Sequence, residues 1–215
     1  MHFFLEIIIF SALMVVYWCN RNRRQHFKHK VGKKSYKNLK TVARNIAIMI
    51  YSNTKCKLSG DPSLLTSGAV LYSFHFGVWE LMPRIINQHL EKDIGILVNR
   101  YTDNNSPLVG RLLDKILYCW RSRHDVKIFY PDEVHSIVRF LKNGGIFATL
   151  VDGNTIYAKF NKIVKLAHLC RVPLIPFVVY YDKETAIMQL NCDLEQILKQ
   201  RPYDYWWFYK SRESN

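Results

Sequence analysis

The chain has no C-x-x-C pair: its five cysteines, Cys19, Cys56, Cys119, Cys170 and Cys192, are scattered over 215 residues. An odd, dispersed set argues against a disulfide or zinc framework and reads as reduced thiols. The sequence also lacks internal repeats and low-complexity linkers. With 49% apolar residues, a single domain of ordinary size with a real core is expected. There is no clustered set of metal ligands, no zinc-finger spacing and no RNA-binding aromatic signature. No bound cofactor is expected, and nucleic acid is not the favoured partner of the basic residues.

Acidic residues are missing from one long stretch. From Arg21 to Lys57 there are twelve Lys/Arg and no Asp or Glu. Residues 1–20 hold only Glu6, so residues 1–57 carry +11 of the net +14, while residues 58–215 hold nineteen Lys/Arg against sixteen Asp/Glu. Upstream of this block, Phe3 to Cys19 is apolar apart from Glu6 and Ser11. No Lys or Arg precedes that run and no small-x-small site follows it, which argues against a cleaved signal peptide. As a helix it spans about 26 Å, near the roughly 30 Å of a hydrocarbon core. A membrane-anchoring helix over residues 1–20 is therefore expected. The Arg/Lys block places its flank in the cytoplasm and attracts anionic headgroups, at about 1 kcal/mol per charge. The expected organisation is an anchor (1–20), a basic juxtamembrane helical region (21–57) and an α/β domain (58–215).

Hydrophobic periodicity fills in the elements. Three- and four-residue spacing predicts a helix over Lys37 to Tyr51. "GAVLYSFH", Gly68 to His75, reads as a buried strand followed by the helix "VWELMPRIINQHL". Strands are predicted at Ile94–Val98 and Val126–Tyr130, with a helix opened by Ser106-Pro107 between them. "PDEVHSIVRFLKNGG" is a helix stopped by Gly144-Gly145. "IFATLVD" is a strand, "KIVKLAHLC" a helix and "VPLIPFVVYY" a strand, with "TAIMQLNC" as a further candidate. Alternation of this kind predicts an α/β fold, a mixed central sheet flanked by helices.

One stretch carries chemistry. In "LYSFHFGVWE", Leu71 to Glu80, a histidine ends the apolar run and a glutamate follows five positions later. In one continuous helix those positions lie about 140° apart. If the strand ends at His75 and a helix starts after Gly77, Glu80 falls in the first turn and reaches back, as the acid of a capping box does. It then accepts from one imidazole nitrogen and raises the basicity of the other. The other reading is a structural histidine at the end of a buried strand. Gly77 permits close approach of backbone or substrate.

"HFGVWE" resembles the His-Tyr/Phe-Gly-Asn-Trp-Glu block of the lysophospholipid acyltransferase superfamily, specifically the bacterial lipid A late acyltransferases. "NRYTDNNSP" is similar to the family's Arg-Pro-Leu-x-Asn-Pro segment, and "NGGIFATLVDGN" to its strand ending in Asp-Gln. "LAHLCRVPLIPF" and "RPYDYWWFYKSR" resemble the two later blocks in order. Val78 stands where the family has Asn, Gly153-Asn154 where it has Gln, and Tyr209 where it has the closing His. The segment from Asp152 to Leu166 is shorter than in the family.

The resemblance implies transfer of a fatty acyl chain from acyl carrier protein or coenzyme A to a hydroxyl of a lipid A precursor or similar glycolipid, at the cytoplasmic face of the inner membrane. His75 would be the base and Glu80 its orienter, without a metal. Arg100, Asp152, Asn154 and Gly77 would contact substrate, Arg100 through phosphate. Asp152 would orient Arg100 or a substrate hydroxyl, or cap its loop. The alternatives are a glycerophospholipid acyltransferase and a non-catalytic lipid-binding relative.

Overall fold

The computed structural model describes residue 4 and residues 6–11, 32–50, 54–100, 111, 114–115, 118–119, 121, 125–152 and 157–206. Seven strands form one sheet: β1 (Lys55–Ser59), β2 (Ala69–Ser73), β3 (Ile94–Leu97), β4 (Val126–Phe129), β5 (Ile146–Leu150), β6 (Leu174–Asp182) and β7 (Thr185–Leu190). Their order is β1-β7-β6-β2-β5-β3-β4. All paired neighbours are parallel except β6 and β7. The hairpin joining those two turns through Lys183 and Glu184, both at positive φ, as a tight two-residue connection requires. The sheet is mixed and flanked by helices, as the alternation of the sequence predicts.

Five helices can be numbered: α1 (Gly32–Ile50), α2 (Met82–His89), α3 (Val134–Lys142), α4 (Phe160–Cys170) and α5 (Leu194–Gln200). Ile48 and Met49 of α1 and Met82, Ile85 and Ile86 of α2 share one core layer with Leu71, Ile146 and Phe177. Ile137 of α3, Ile163 of α4 and Ile197 of α5 share the other with Val70, Phe147 and Val178. The chain is thus a three-layer sandwich. β2 is buried on both faces, which is why it reads as a continuous apolar run and not as an alternating one. Pro83 falls in the first turn of α2, after a 3₁₀ turn at Trp79–Leu81. Its missing N–H costs nothing there.

The expected N-terminal membrane-anchoring helix is corrected. Among the described residues no helix is long and apolar enough to cross a membrane. The longest described helix, α1, has the length but carries Lys33, Lys34, Lys37, Lys40 and Arg44. β1 begins at Lys55 and pairs along β7, so the sheet starts upstream of residue 58. The helix predicted from Ser106-Pro107 lies largely outside the described residues; Arg111, Asp114, Lys115, Tyr118 and Cys119 within it, and Arg121 just after it, are helical.

Connections set the site. From β2 the chain passes through α2 to β3, on the far side of β5. From β5 it passes through α4 to β6, on the far side of β2. Neighbouring strands whose connections leave in opposite directions open a crevice at their carboxyl ends. The loop after β2 is pinned there. Gly77 has φ +58, and a Cβ on it would collide with the carbonyl oxygen of Val179 in β6. Gly77→Ala is expected to cost about 3 kcal/mol or more, from the left-handed backbone and the clash together, read as a lower urea midpoint with an unchanged m-value. A midpoint at the wild-type value would show that the loop relaxes at little cost.

Candidate functional site

His75 follows β2 and Asp152 follows β5, so the crevice receives one residue from each of its two walls. The ladder runs one step past the strands, with the Val151 amide donating to the Ser73 carbonyl at 2.9 Å, and this brings the two loops level. His75 Nδ1 lies 2.8 Å from Asp152 Oδ1. The His75 backbone N–H also donates to both carboxylate oxygens, at 3.3 and 3.2 Å. Asp152 is 1% exposed, whereas the His75 side chain is 28% exposed. An ionised carboxylate against Nδ1 makes that nitrogen the N–H donor, so Nε2 is the basic one.

Tyr205, on the C-terminal segment, is buried on the inner side of the loop after β2. Burial, then the charge of Asp152, then a side-chain hydrogen bond to it hold the Tyr205 phenol well above its ordinary range. Tyr205 bridges Phe76 in antiparallel register. On either side of it, the Gly77 amide donates to the Asp204 carbonyl at 2.9 Å and the Trp206 amide to the His75 carbonyl at 2.8 Å. Trp206 Nε1 donates to the Gly77 carbonyl at 3.2 Å. α1 secures the segment in turn. Asn38 Nδ2 donates to the carbonyls of Tyr203 and Tyr205, at 2.8 and 2.9 Å, and Asn45 Nδ2 to Asp204 Oδ1 at 3.1 Å.

Glu80 does not take the place that the sequence spacing predicts. Arg121 holds its carboxylate, with Nε 3.1 and 3.2 Å from the two oxygens and Nη2 closer still. The carboxylate at His75 Nδ1 is Asp152. Gly77 makes its close approach to Val179, not to open space, and its amide is engaged by Asp204. The Val78 amide donates to Val179. Neither of those two N–H groups is therefore placed to receive an oxyanion. Arg100 donates from Nη1 to Asp132 at 3.2 Å and stacks over Tyr130, its guanidinium 4.2 Å from the ring centroid. Asn154 lies outside the described residues, as do Trp207, Phe208 and Tyr209.

Two adjoining recesses open here. One, of about 780 Å³ with its mouth, is lined by His75, Asn99, Arg100, Arg121 and Lys159. The other, of about 440 Å³ with its mouth, is lined by Trp79, Met82, Pro83, Ile96, Leu97 and Phe177, with the Glu80–Arg121 pair also on its wall. Trp79, Leu97, Val98, Arg121, Thr149 and Leu150 belong to both. Trp79 stands between them, its edge on His75 with ring centroids 5.2 Å apart. A basic cleft thus meets an apolar one beside an oriented imidazole. Among the described residues no group of His, Cys, Asp or Glu is arranged to hold a metal ion.

Sequence reasoning missed Arg121, Lys159 and Tyr205. Tyr205 carried a partial signal, being in one of the family-like blocks. Arg121 and Lys159 are ordinary basic residues until the fold turns them inward. No protein-family model matches the chain, and no curated protein matches it either.

The raised phenol gives a pH test. The unfolded Tyr205 ionises near about 10 and the folded one higher. Its contribution to stability is complete below the unfolded value and is lost as pH climbs toward the folded value. Urea midpoints measured from about pH 8 to 11 are expected to fall more steeply for the wild type than for Tyr205→Phe. Parallel curves would mean that the hydroxyl is not coupled to folding.

Proposed function

We propose that this cleft transfers a fatty acyl group from a thioester, on acyl carrier protein or coenzyme A, to a hydroxyl of a lipid A precursor or a similar glycolipid. One observation carries the reading: the 2.8 Å contact of His75 Nδ1 with buried Asp152, at the meeting of a basic and an apolar recess. The likeness of "HFGVWE" and the later blocks to the lipid A late acyltransferases supports it independently.

The chemistry needs only these parts. His75 Nε2 takes the acceptor's hydroxyl proton as its oxygen attacks the thioester carbonyl carbon. The tetrahedral intermediate collapses, the C–S bond breaks, and the departing thiolate takes the proton from the imidazolium. An ester and a free thiol result. Asp152 holds the imidazole in one tautomer and stabilises its charged form, the part that the sequence spacing assigns to Glu80. General-base help of this kind contributes about 10²–10⁴-fold. The apolar recess suits the acyl chain, at about 0.8 kcal/mol per buried methylene. Arg100, Arg121 and Lys159 suit phosphates on acceptor or donor, guanidinium groups binding them bidentately. The basic block from Arg21 to Lys57 draws the protein to an anionic cytoplasmic leaflet.

Purified protein, offered acyl-coenzyme A or acyl carrier protein with phosphorylated glycolipid and glycerophospholipid acceptors, is expected to form a new ester on the glycolipid, identified by mass spectrometry. His75→Ala should retain less than about a tenth of that rate, and Asp152→Asn should lose about 10²-fold or more in kcat. Glu80→Gln acts through Arg121 and is expected to raise KM for the phosphorylated substrate more than it lowers kcat. Equal losses of kcat at Glu80 and Asp152 would return the orienting part to Glu80. Ester formation by His75→Ala at the wild-type rate would overturn the reading, and an ester only on glycerophospholipid would move the acceptor.

A further inference from the structure

Three cations line the recess at His75, and two of them are already engaged. Arg100 donates to Asp132, and Arg121 holds Glu80 through Nε and Nη2. The third, Lys159, takes part in none of the ion pairs among the described residues. Asp152 precedes it in the same connection, but that carboxylate is taken by the ring and the backbone N–H of His75. We propose that Lys159 is the specificity-determining residue of this cleft: it takes a phosphate group of the substrate, and so sets a preference for the phosphorylated substrate over its neutral counterpart. The acyl-transfer reading decides which molecule carries that phosphate; the phosphate site itself stands on the geometry.

The ammonium is carried on a fixed base. The Lys159 amide donates to the Val151 carbonyl at 2.9 Å, so the end of β5 that presents Asp152 to His75 also sets the backbone of Lys159. The next residue, Phe160, packs edge-on against Tyr72 and Tyr157, with centroids 5.2 and 5.5 Å apart. Lys159 is half-buried and shares the recess with His75, Asn99, Arg100 and Arg121, and among the described residues no Asp or Glu lines it. An anion entering here must draw Arg100 from Asp132 or Arg121 from Glu80, whereas it draws Lys159 only from water. Lys159 therefore offers the largest net attraction, and its partial burial limits screening by salt. A phosphate monoester, with about two negative charges and three acceptor oxygens, matches an ammonium with three donors. A neutral hydroxyl in its place leaves the cation uncompensated, and a site built around a polar partner discriminates strongly against the analogue that lacks it.

Two substrate pairs separate the possible sources of the phosphate. One is the phosphorylated glycolipid acceptor against the same glycolipid after phosphatase treatment. The other is acyl-coenzyme A against the acyl thioester of N-acetylcysteamine, which has no phosphate. In Lys159→Gln the ratio of kcat/KM within one pair is expected to fall about ten- to hundredfold, mainly through KM, and the pair that responds identifies the molecule whose phosphate is held. Lys159→Arg keeps the charge and should hold that ratio to within about fivefold. Wild-type ratios in both pairs overturn the proposal whatever the absolute rates, as does a Lys159→Arg that behaves like Lys159→Gln. Binding of the phosphorylated glycolipid and of coenzyme A, followed by tryptophan fluorescence without turnover, is the second readout, and the affinity for one of them should fall by the same factor in Lys159→Gln. If the wild type transfers no acyl group while that affinity depends on Lys159, the phosphate site stands and the acyl-transfer reading fails. If transfer proceeds and neither affinity depends on Lys159, the proposal fails and the acyl-transfer reading stands. Should Lys159→Gln not fold, Lys159→Met takes its place under the same criteria.

Discussion

A carboxylate held away from water costs several kcal/mol unless its oxygens are filled, and the arrangement around Asp152 answers that constraint. The residues around it come from widely separated stretches: the backbone and ring of His75 after β2 bond its oxygens, and buried Tyr205, near the C-terminal end of the described chain, feels its charge. They meet only because β2 and β5 are parallel neighbours ending level with each other, and because the segment at 201–206 folds back across the loop after β2. That segment is built for the purpose. Arg201 donates to Asp204 at 2.8 Å and to the Tyr181 carbonyl at 3.1 Å, and α1 supplies Asn38 and Asn45. A helix whose sequence belongs to the basic N-terminal block thereby helps to hold the carboxylate's surroundings.

The charges of the cleft differ in how firmly they are placed. Arg100 and Asp132 are 42% and 64% exposed, and a pair so open to solvent contributes about 0–1 kcal/mol. Arg100 is therefore cheaply drawn from Asp132 toward an anionic substrate. Glu80 and Arg121 are 12% and 16% exposed. Breaking a pair buried to that degree by removing one partner approaches the 3–5 kcal/mol of fully buried cases. Arg121 is the cation that the fold sets in place, and Glu80 is what sets it. The glutamate that the sequence presents beside the histidine thus belongs to the cleft's electrostatics more than to the imidazole.

Much of the architecture is legible in the chain itself. Helices and strands alternate from Ala69 to Asp182 in the order predicted, because each strand is a short apolar run and each helix has an apolar face to lay on the sheet. Two elements escaped. β1, "KCKLS", is a half-exposed edge strand whose lysines read as the end of the basic block. α5 has seven residues, too few for its periodicity to stand out, although Asp193 caps it by accepting from the amides of Glu195 and Gln196 at 3.0 Å. The apolar run at the N-terminus misled in the other direction. Its composition suits a membrane, yet no described helix has the length and polarity to cross one.

By itself the sequence determined the α/β layering and placed His75 at the end of a buried strand, since both follow from local apolar periodicity and from Gly77 permitting a sharp turn. It also offered a carboxylate, Glu80, at a spacing compatible with orienting the base. Which carboxylate reaches the imidazole was decided by tertiary structure alone. Asp152 lies 77 residues from His75, and nothing local relates them. Their contact exists because β5 is inserted beside β2 in the sheet, while Arg121, brought in ahead of β4, draws Glu80 to itself. Strand order and a competing cation are properties of the assembled sheet, and neither is written in the spacing of residues along one segment.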